Sequence, residues 1–286
     1  MTKKLILCFC LVASEAVVFA QQEDVSMSLR LEAINDTIFI SEPLIIRCWL
    51  VNNEKSTARI FGRWGVNALI FGGLDFFLST ESDSLTKHDY RLGVNASTFT
   101  QYSIAVAPDD SIYWYNLLWL PNFRMSQLGK ELRVVLIRGE YGFCTDESYR
   151  DARSIISEGE SFVVIPGPEA EIGFPQEWMG YAREYFAFGD NMLSTETFKA
   201  FLALCEKIAK SDSRLSYYAR YIPFTLYGVK SDSLNMMDFI NKYPNTPLSE
   251  ILEFSCDKKR ATAKYPRNIL AQGPKRAKFK SKRVRK

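Results

Sequence analysis

"FINKYPNTPLSEIL", residues 239–252, sets two prolines inside an apolar pattern. Pro244 has no N–H and its ring clashes with the preceding helical turn, so a helix through Phe239 and Ile240 ends near Tyr243. Asn245 suits a turn, Thr246 suits a helix cap, and Pro247 suits a first helical position. Upstream, Met236, Phe239, Ile240 and Tyr243 fall on one helix face, and Leu248, Ile251 and Leu252 begin a second. The stretch predicts a tight helix–turn–helix corner.

The same spacing recurs on the N-terminal side. Trp178, Tyr181, Ala182 and Tyr185 form one stripe. Phe198, Phe201, Leu202 and Cys205 form another behind a Ser194 cap, and Leu215, Tyr218, Ala219 and Ile222 form a third. "SRLSYYARY" at 213–221 precedes "TPLSEILEF" at 246–254 by 33 residues, close to the period of tetratricopeptide helix pairs. On these residues, "KYPNTPLSEILEF" resembles the Tyr-Pro-Asn-Ser/Thr-Pro corner of tetratricopeptide-like repeats in bacterial envelope proteins. The likeness covers about residues 195–257. Pro223 inside a helix stripe departs from that pattern, and an irregular helical bundle is the alternative. About one and a half repeats are visible where a free-standing solenoid needs three or so. The helices are therefore expected to lean on the preceding domain.

Residues 25–167 read as strands. "VSMSLRLEAI" alternates Val25, Met27, Leu29 and Leu31 with polar neighbours, as a half-buried strand does. "PLIIRCWLV", "ARIFGRW", "LDFFLST", "STFTQYSIAVA", "SIYWYNLLWL", "ELRVVLIRG" and "ESFVVIPG" follow, separated by Asn, Asp, Gly and Pro. That rhythm predicts an all-β sandwich. "ISEPLIIRCWLVNN", "VAPDDSIYW", "LRVVLIRGEY" and "ESFVVIPGPEAE" resemble the immunoglobulin-like sandwiches that precede helical repeats in some secreted bacterial proteins. The likeness implies a scaffold and brings no catalytic residue with it. The expected organisation is a signal peptide over 1–20, a β-sandwich over 21–167, a helical tetratricopeptide-like domain over 168–257 and a disordered basic tail over 258–286. "PGPEAEIGFP" at 166–175 is the expected junction.

Lys3 and Lys4, the apolar run Leu5–Ala13 and Val18-Phe19-Ala20 read as a leader cleaved before Gln21. Export would place the mature chain in the periplasm, at the cell surface or outside the cell, with no transmembrane segment left. Export also permits disulfides. Cys8 and Cys10 leave with the leader, so Cys48, Cys144, Cys205 and Cys256 remain. One bridge per domain, Cys48–Cys144 and Cys205–Cys256, is the simplest of the three pairings. Thiols packed as small hydrophobes are the alternative.

The whole chain has 36 Lys/Arg and 33 Asp/Glu. Residues 257–286 hold 13 of the basic residues and one acid, a net of +12, which leaves 23 basic and 32 acidic residues before them, a net of −9. Mutual repulsion predicts an extended, disordered tail. Lys275, Arg276, Lys278, Lys280, Lys282, Arg283, Arg285 and Lys286 are the expected anchors for an anionic polymer. A solvated tail, or one lying on the acidic body, is the alternative.

Catalytic signals are sparse. His88 is the one histidine, in a stretch read as a polar loop. No H-E-x-x-H, G-x-S-x-G or glycine-rich phosphate motif is present, and no cofactor is implied. Asp109, Asp110, Glu158 and Glu160 are loop carboxylates of the type a glycoside hydrolase pairs. Tyr113, Trp114, Tyr115 and Trp119 crowd one strand, where an exposed row would stack on sugar rings and a buried one would fill the core. The leading expectation is a non-enzymatic binding or scaffolding protein that meets an envelope or extracellular protein through its helices. A carbohydrate-binding module is second and a glycoside hydrolase-like enzyme third.

Overall fold

The computed structural model describes residues 26–64, 74–80, 86–88, 100–120, 130, 132–144, 152–166, 177–181, 195–225, 233–272 and 275–276. The leader and most of the junction at 166–175 lie outside them. Strands come first along the chain: β1 (Met27–Ala33), β2 (Thr37–Phe39), β3 (Leu44–Asn52), β4 (Ala58–Trp64), β5 (Leu74–Ser79), β6 (Thr86–His88), β7 (Thr100–Val106), β8 (Ser111–Leu118), β9 (Arg133–Cys144), β10 (Ala152–Ile156) and β11 (Glu160–Ile165). Helices follow: α1 (Thr195–Ala209), α2 (Ser216–Thr225), α3 (Ser233–Lys242), α4 (Pro247–Cys256), α5 (Lys258–Lys264) and α6 (Ile269–Gln272). A two-residue strand, β12 (Lys275–Arg276), comes last. The architecture is thus two-part, β before α, with a late return to the sheet.

Two sheets share one apolar core. The smaller runs β1-β3-β8 and is antiparallel throughout. The larger runs β12-β7-β4-β9-β11-β2, with β10 and β5 also on β9. Alternation explains the core: Met27, Leu29 and Leu31 of β1 face inward, as do Ile60 of β4, Ile104 of β7 and Val135, Ile137 and Tyr141 of β9. The intervening residues of β1, Ser28 and Arg30, are exposed.

β3 and β8 are buried on both faces, so they read as near-continuous apolar runs rather than alternations. Ile112, Trp114 and Leu118 join the inter-sheet core. Tyr113, Tyr115, Leu117 and Trp119 point the other way and pack with Phe201, Tyr218, Phe239, Leu248 and Ile251 of the helices. The described members of the helical stripes are buried in, or packed against, this one cluster of sheet and helix residues. Cys205, Leu215 and Leu248 are all fully buried there.

The corner at 239–252 forms for the reasons its residues give. α3 stops at Lys242, and the Tyr243 N–H still bonds to the Phe239 carbonyl at 2.9 Å. Asn245 takes the left-handed conformation, φ 61°, which asparagine tolerates better than most residues. Thr246 is the extended N-cap of α4, its hydroxyl accepting from the Ser249 N–H at 3.4 Å, with Pro247 in the first turn. Ser249 donates its hydroxyl to the Tyr243 carbonyl at 2.6 Å and so ties the two helix ends.

The largest departure is at the C-terminus. Residues 258–272, expected to be disordered, form α5 and α6. Asp257 caps α5 by accepting from the Arg260 N–H, and Ala261 and Ile269 are buried. Ile269 is 1% exposed and belongs to the inter-sheet core. The isolated pair Tyr113–Asn268 lies alongside β8, the Tyr113 N–H donating to the Arg267 carbonyl at 2.9 Å. Seven residues later, β12 pairs with β7, Lys275 opposite Ser103 and Arg276 opposite Tyr102. The segment from Tyr265 to Arg276 is therefore a strap from the edge of the small sheet to the edge of the large one. Two of the five basic residues in 258–272 meet acids of the body, Lys264 with Glu253 at 2.9 Å and Arg267 with Asp110 at 3.5 Å.

Candidate functional site

The polar group that joins the most separate elements among those described is Glu250, in the first turn of α4. The apolar face of α4 turns toward the neighbouring helices, and Glu250 sits on the opposite side, yet it is 6% exposed because the sheet covers it. There β8 presents its two phenols. Tyr113 donates to Glu250 Oε1 at 2.6 Å and Tyr115 donates to Oε2 at 2.9 Å. Asn268 of the strap donates its Nδ2 to Oε1 at 2.7 Å. All three partners donate, so the carboxyl is the acceptor throughout. One side chain thereby joins sheet, helix and strap.

Arg47 closes the open side. Its guanidinium lies 5.7 Å from the ring centroids of Trp49 and Tyr113 and 5.5 Å from that of Tyr115. Its Nη1 is 3.5 Å from Glu32 Oε2, which also accepts from Trp49 Nε1 at 3.0 Å. Burial pushes the Tyr113 phenol well above the ordinary tyrosine range, and the hydrogen bond and charge of Glu250 push it further. Burial does the same for Tyr115, followed by the Glu250 charge, with Arg47 opposing. Both stay neutral donors at ordinary pH. Both oxygens of the carboxyl are engaged, Oε1 by two donors and Oε2 by one, and the residue is 6% exposed, so the group ties the layers together.

A second polar tie lies at the turn between β2 and β3. Glu42 accepts from the Phe39 N–H at 3.0 Å and meets Arg214 at 3.4 Å, while Arg214 lies over the Phe39 ring at 4.4 Å. Trp178 donates its indole N–H to the Ser41 carbonyl at 3.2 Å and packs against Trp119.

The residues singled out in the sequence fall elsewhere. Tyr113, Trp114, Tyr115 and Trp119 are 9%, 2%, 5% and 1% exposed, the core-filling one of the two readings of this row: alternate members fill two different cores. Cys48, Cys205 and Cys256 are free thiols, so neither expected bridge is present; the side chain of Cys144 lies outside the described residues. Cys48 fills the inter-sheet core and accepts from Asn116 Nδ2 at 3.2 Å, and Cys205 is buried among the helices, where burial pushes its thiol up to about 12. His88 ends β6 opposite Phe76 rather than sitting in a loop. Asp110 belongs to the strap through Arg267, and Glu160 accepts from the Ala33 N–H at 3.4 Å. Lys275 and Arg276 are in β12; Lys278, Lys280, Lys282, Arg283, Arg285 and Lys286 lie outside the described residues. Among the described residues no three His, Cys, Asp or Glu gather as a metal site would require, and no helix is long and apolar enough to cross a membrane.

Sequence reasoning passed over Glu250, Asn268 and Ile269. A signal existed in "SIYWYNLLWL": two phenols on one face of a buried strand require an acceptor.

No protein-family model matches the chain, and no curated protein matches it. Among solved structures, the sporulation control protein Spo0M from Bacillus subtilis is 11% identical at a TM-score of 0.29, covering 56% of this chain and 55% of that one. This chain thus spans about half the length of that protein. A beta-glucosidase from Listeria innocua, solved with glucose, is 11% identical at 0.27, covering 50% of this chain and 16% of that one. Bacteroides uniformis beta-glucuronidase 2 is 7% identical at 0.20, covering 48% and 13%. Values this low establish no shared fold or activity.

Proposed function

We propose that the chain is an exported, non-enzymatic binding or scaffolding protein of a bacterial envelope or cell surface. Its body is an immunoglobulin-like sandwich carrying a short tetratricopeptide-like layer, and its cationic C-terminal end engages an anionic polymer. One observation carries this reading. The strap fastens the C-terminal segment to the body through Asn268, Ile269 and β12, and the ten residues after it include Lys278, Lys280, Lys282, Arg283, Arg285 and Lys286. A fastened root gives the cations a fixed point of departure from a body that is net negative over residues 1–256. Polyanion binding by such a segment proceeds by counterion release and needs no preformed pocket.

The competing readings have less support. A partner groove on the helices needs free apolar faces, and Phe201, Leu215, Tyr218, Phe239, Leu248 and Ile251 are buried within the cluster that the helices form with β8. Sugar stacking on Tyr113, Trp114, Tyr115 or Trp119 needs a solvent-facing ring, and all four are buried. The test is retention on an anionic matrix over a salt series, comparing the full chain with one ending at Arg276. Earlier elution of the shortened chain, converging with the full chain at high salt, is the expected result. Coincident elution at every salt concentration would remove the polymer reading.

A further inference from the structure

We infer that the open edge of β1 pairs with β1 of a second copy of this chain, antiparallel and across a two-fold axis at Leu31. The hydrogen-bond pattern shows which groups are open. The Ile34 N–H donates to the Ile45 carbonyl at 3.0 Å, and the Asn53 N–H to the Ser26 carbonyl at 2.9 Å. In an antiparallel ladder the bonding direction alternates residue by residue. Ser28, Arg30 and Glu32 therefore bond to β3, and Met27, Leu29, Leu31 and Ala33 turn their N–H and C=O groups the other way. The Ala33 N–H does leave the ladder, meeting Glu160 Oε1 at a long 3.4 Å. Among the described residues nothing meets the main chain of Leu29 or Leu31 on that side, where β1 ends its sheet.

Burial agrees. Met27, Leu29 and Leu31 face the same core as Ile46 and Cys48 of β3, yet they keep 7%, 4% and 5% exposure where those two have 0%. Other edges are guarded. Glu42 takes the outward N–H of Phe39 on β2, the strap takes that of Tyr113 on β8, and β12 covers β7. An edge strand offers its unpaired groups to another chain unless something blunts it. β1 is seven residues long and carries no proline or glycine.

Charge selects the second copy and the register. Arg30 is exposed, and among the described residues it has no ion-pair partner. Two residues on, Glu32 spends Oε2 on Arg47 and Trp49, and among the described residues nothing meets its Oε1. A two-fold axis at Leu31 sets Arg30 opposite the partner's Glu32, once on each side of the axis. Leu31 then meets the partner's Leu31. Leu29 meets the partner's Ala33, whose N–H exchanges its long carboxylate contact for a main-chain carbonyl. This register forms about six main-chain hydrogen bonds. Moving the axis to Arg30 sets that residue against the partner's Arg30, a repulsive pair. Moving it to Leu29 sets Arg30 against the partner's Ser28 and pairs no charge. At Leu31 the strand complements itself in both charge and hydrogen bonding, as a two-fold interface requires. The pairing is independent of polymer binding.

The experiment is sedimentation equilibrium of the full chain over a concentration series, with amide hydrogen exchange measured at both ends of the series. A monomer–dimer equilibrium is expected. The Leu29 and Leu31 amides are expected to exchange about tenfold more slowly at the high end. Those of Arg30 and Glu32, already bonded to β3, are expected to change little. Arg30→Glu is expected to raise the dissociation constant about tenfold. Arg30→Lys keeps the charge, and Lys259→Glu alters an exposed residue of α5, so both are expected to leave the constant unchanged. A monomer at every concentration would overturn the pairing. So would a dimer whose Leu29 and Leu31 amides exchange as fast as the monomer's, since another surface would then join the copies. Equal weakening by Arg30→Glu and Lys259→Glu would overturn the Leu31 register.

Discussion

The two cores meet on the strands β3 and β8 and are built differently. Between the sheets the packing is largely apolar, with Leu29, Leu50, Ile60, Trp114, Ile137 and Val164 in one cluster, and a buried polar tie sits at one end of it, where Asn52 of β3 donates to the Val106 and Ala107 carbonyls at 3.0 and 3.1 Å. Between sheet and helices, apolar packing is interrupted by directed polar ties, Glu250 with Tyr113, Tyr115 and Asn268, and Glu42 with Arg214. An apolar interface tolerates sliding; a carboxylate with three fixed donors does not, because each donor displaced indoors loses its partner. The helical layer is therefore held in one register. The strap is the element common to both regions, with Ile269 in the first and Asn268 beside the second.

Cutting the strap is the sharpest way to break that arrangement. A chain ending at Lys264 loses Ile269 and Asn268 together. Loss of a buried isoleucine side chain costs about 2–5 kcal/mol, and an acceptor stripped of a donor adds about 1–3 kcal/mol. Together these approach the whole stability of an ordinary domain, about 5–15 kcal/mol, so the shortened chain is expected to be largely unfolded by circular dichroism. Ile269→Ala is the graded version, expected to lower the urea midpoint without changing the slope. A midpoint within error of the wild type would show that the strap merely lies on the sheet.

This expectation reverses what the C-terminal composition suggests, and the reason is physical. "PRNILAQG" has too few apolar residues to show a face, so no periodicity marks it. Its burial comes from Asn268 and Ile269, held by strands and a helix that lie far away or out of pattern in sequence. The corner at 239–252 was legible because prolines, a cap and an apolar face act within a few residues of one another. The alternation of β1 was legible for the same local reason. Glu250 was not, since on its own helix it reads as a solvated residue. Only the phenols of β8, 137 and 135 positions away, make it internal.

The second break is at Glu250. Glu250→Ala leaves two phenols and an amide without their acceptor in a site closed to water, at a cost of about 3 kcal/mol. Asn268→Ala is expected to cost about 1–2 kcal/mol. The double variant is expected to cost less than the two singles combined, because the second loss has no partner left to break. Strict additivity in urea unfolding would mean that the 2.7 Å contact contributes nothing in solution.

A milder perturbation is pH. Tyr113, Tyr115 and Tyr218 have phenols raised well above the ordinary tyrosine range, chiefly by burial, and burial pushes Tyr217 up to about 12. A raised folded pKa means that the folded chain keeps protons which the unfolded chain gives up above about pH 10. The stabilisation is complete below that pH and is lost as pH rises through the folded values. Thermal midpoints are thus expected to be level from neutrality to about pH 10 and then to fall. Tyr113→Phe with Tyr115→Phe is expected to start from a lower midpoint and to fall less steeply. Parallel curves for the variant and the wild type would detach these phenols from the alkaline transition.

The smallest effect concerns the far end of the strap. A chain ending at Arg276 keeps Asn268, Ile269 and both pairs of β12 with β7, so its midpoint is expected to stay within about 0.5 kcal/mol of the full chain. Ending at Gln272 instead removes β12 and uncovers Tyr102 and Ser103 at the sheet edge, at a cost of about 1 kcal/mol. The difference between these two truncations isolates the last strand. It also separates attachment from folding: the first truncation is expected to change salt-dependent retention on an anionic matrix while leaving the urea midpoint where it was. A large loss of stability at Arg276 would mean that the cations beyond it dock on the acidic body, and the polymer they were assigned to would be the protein itself.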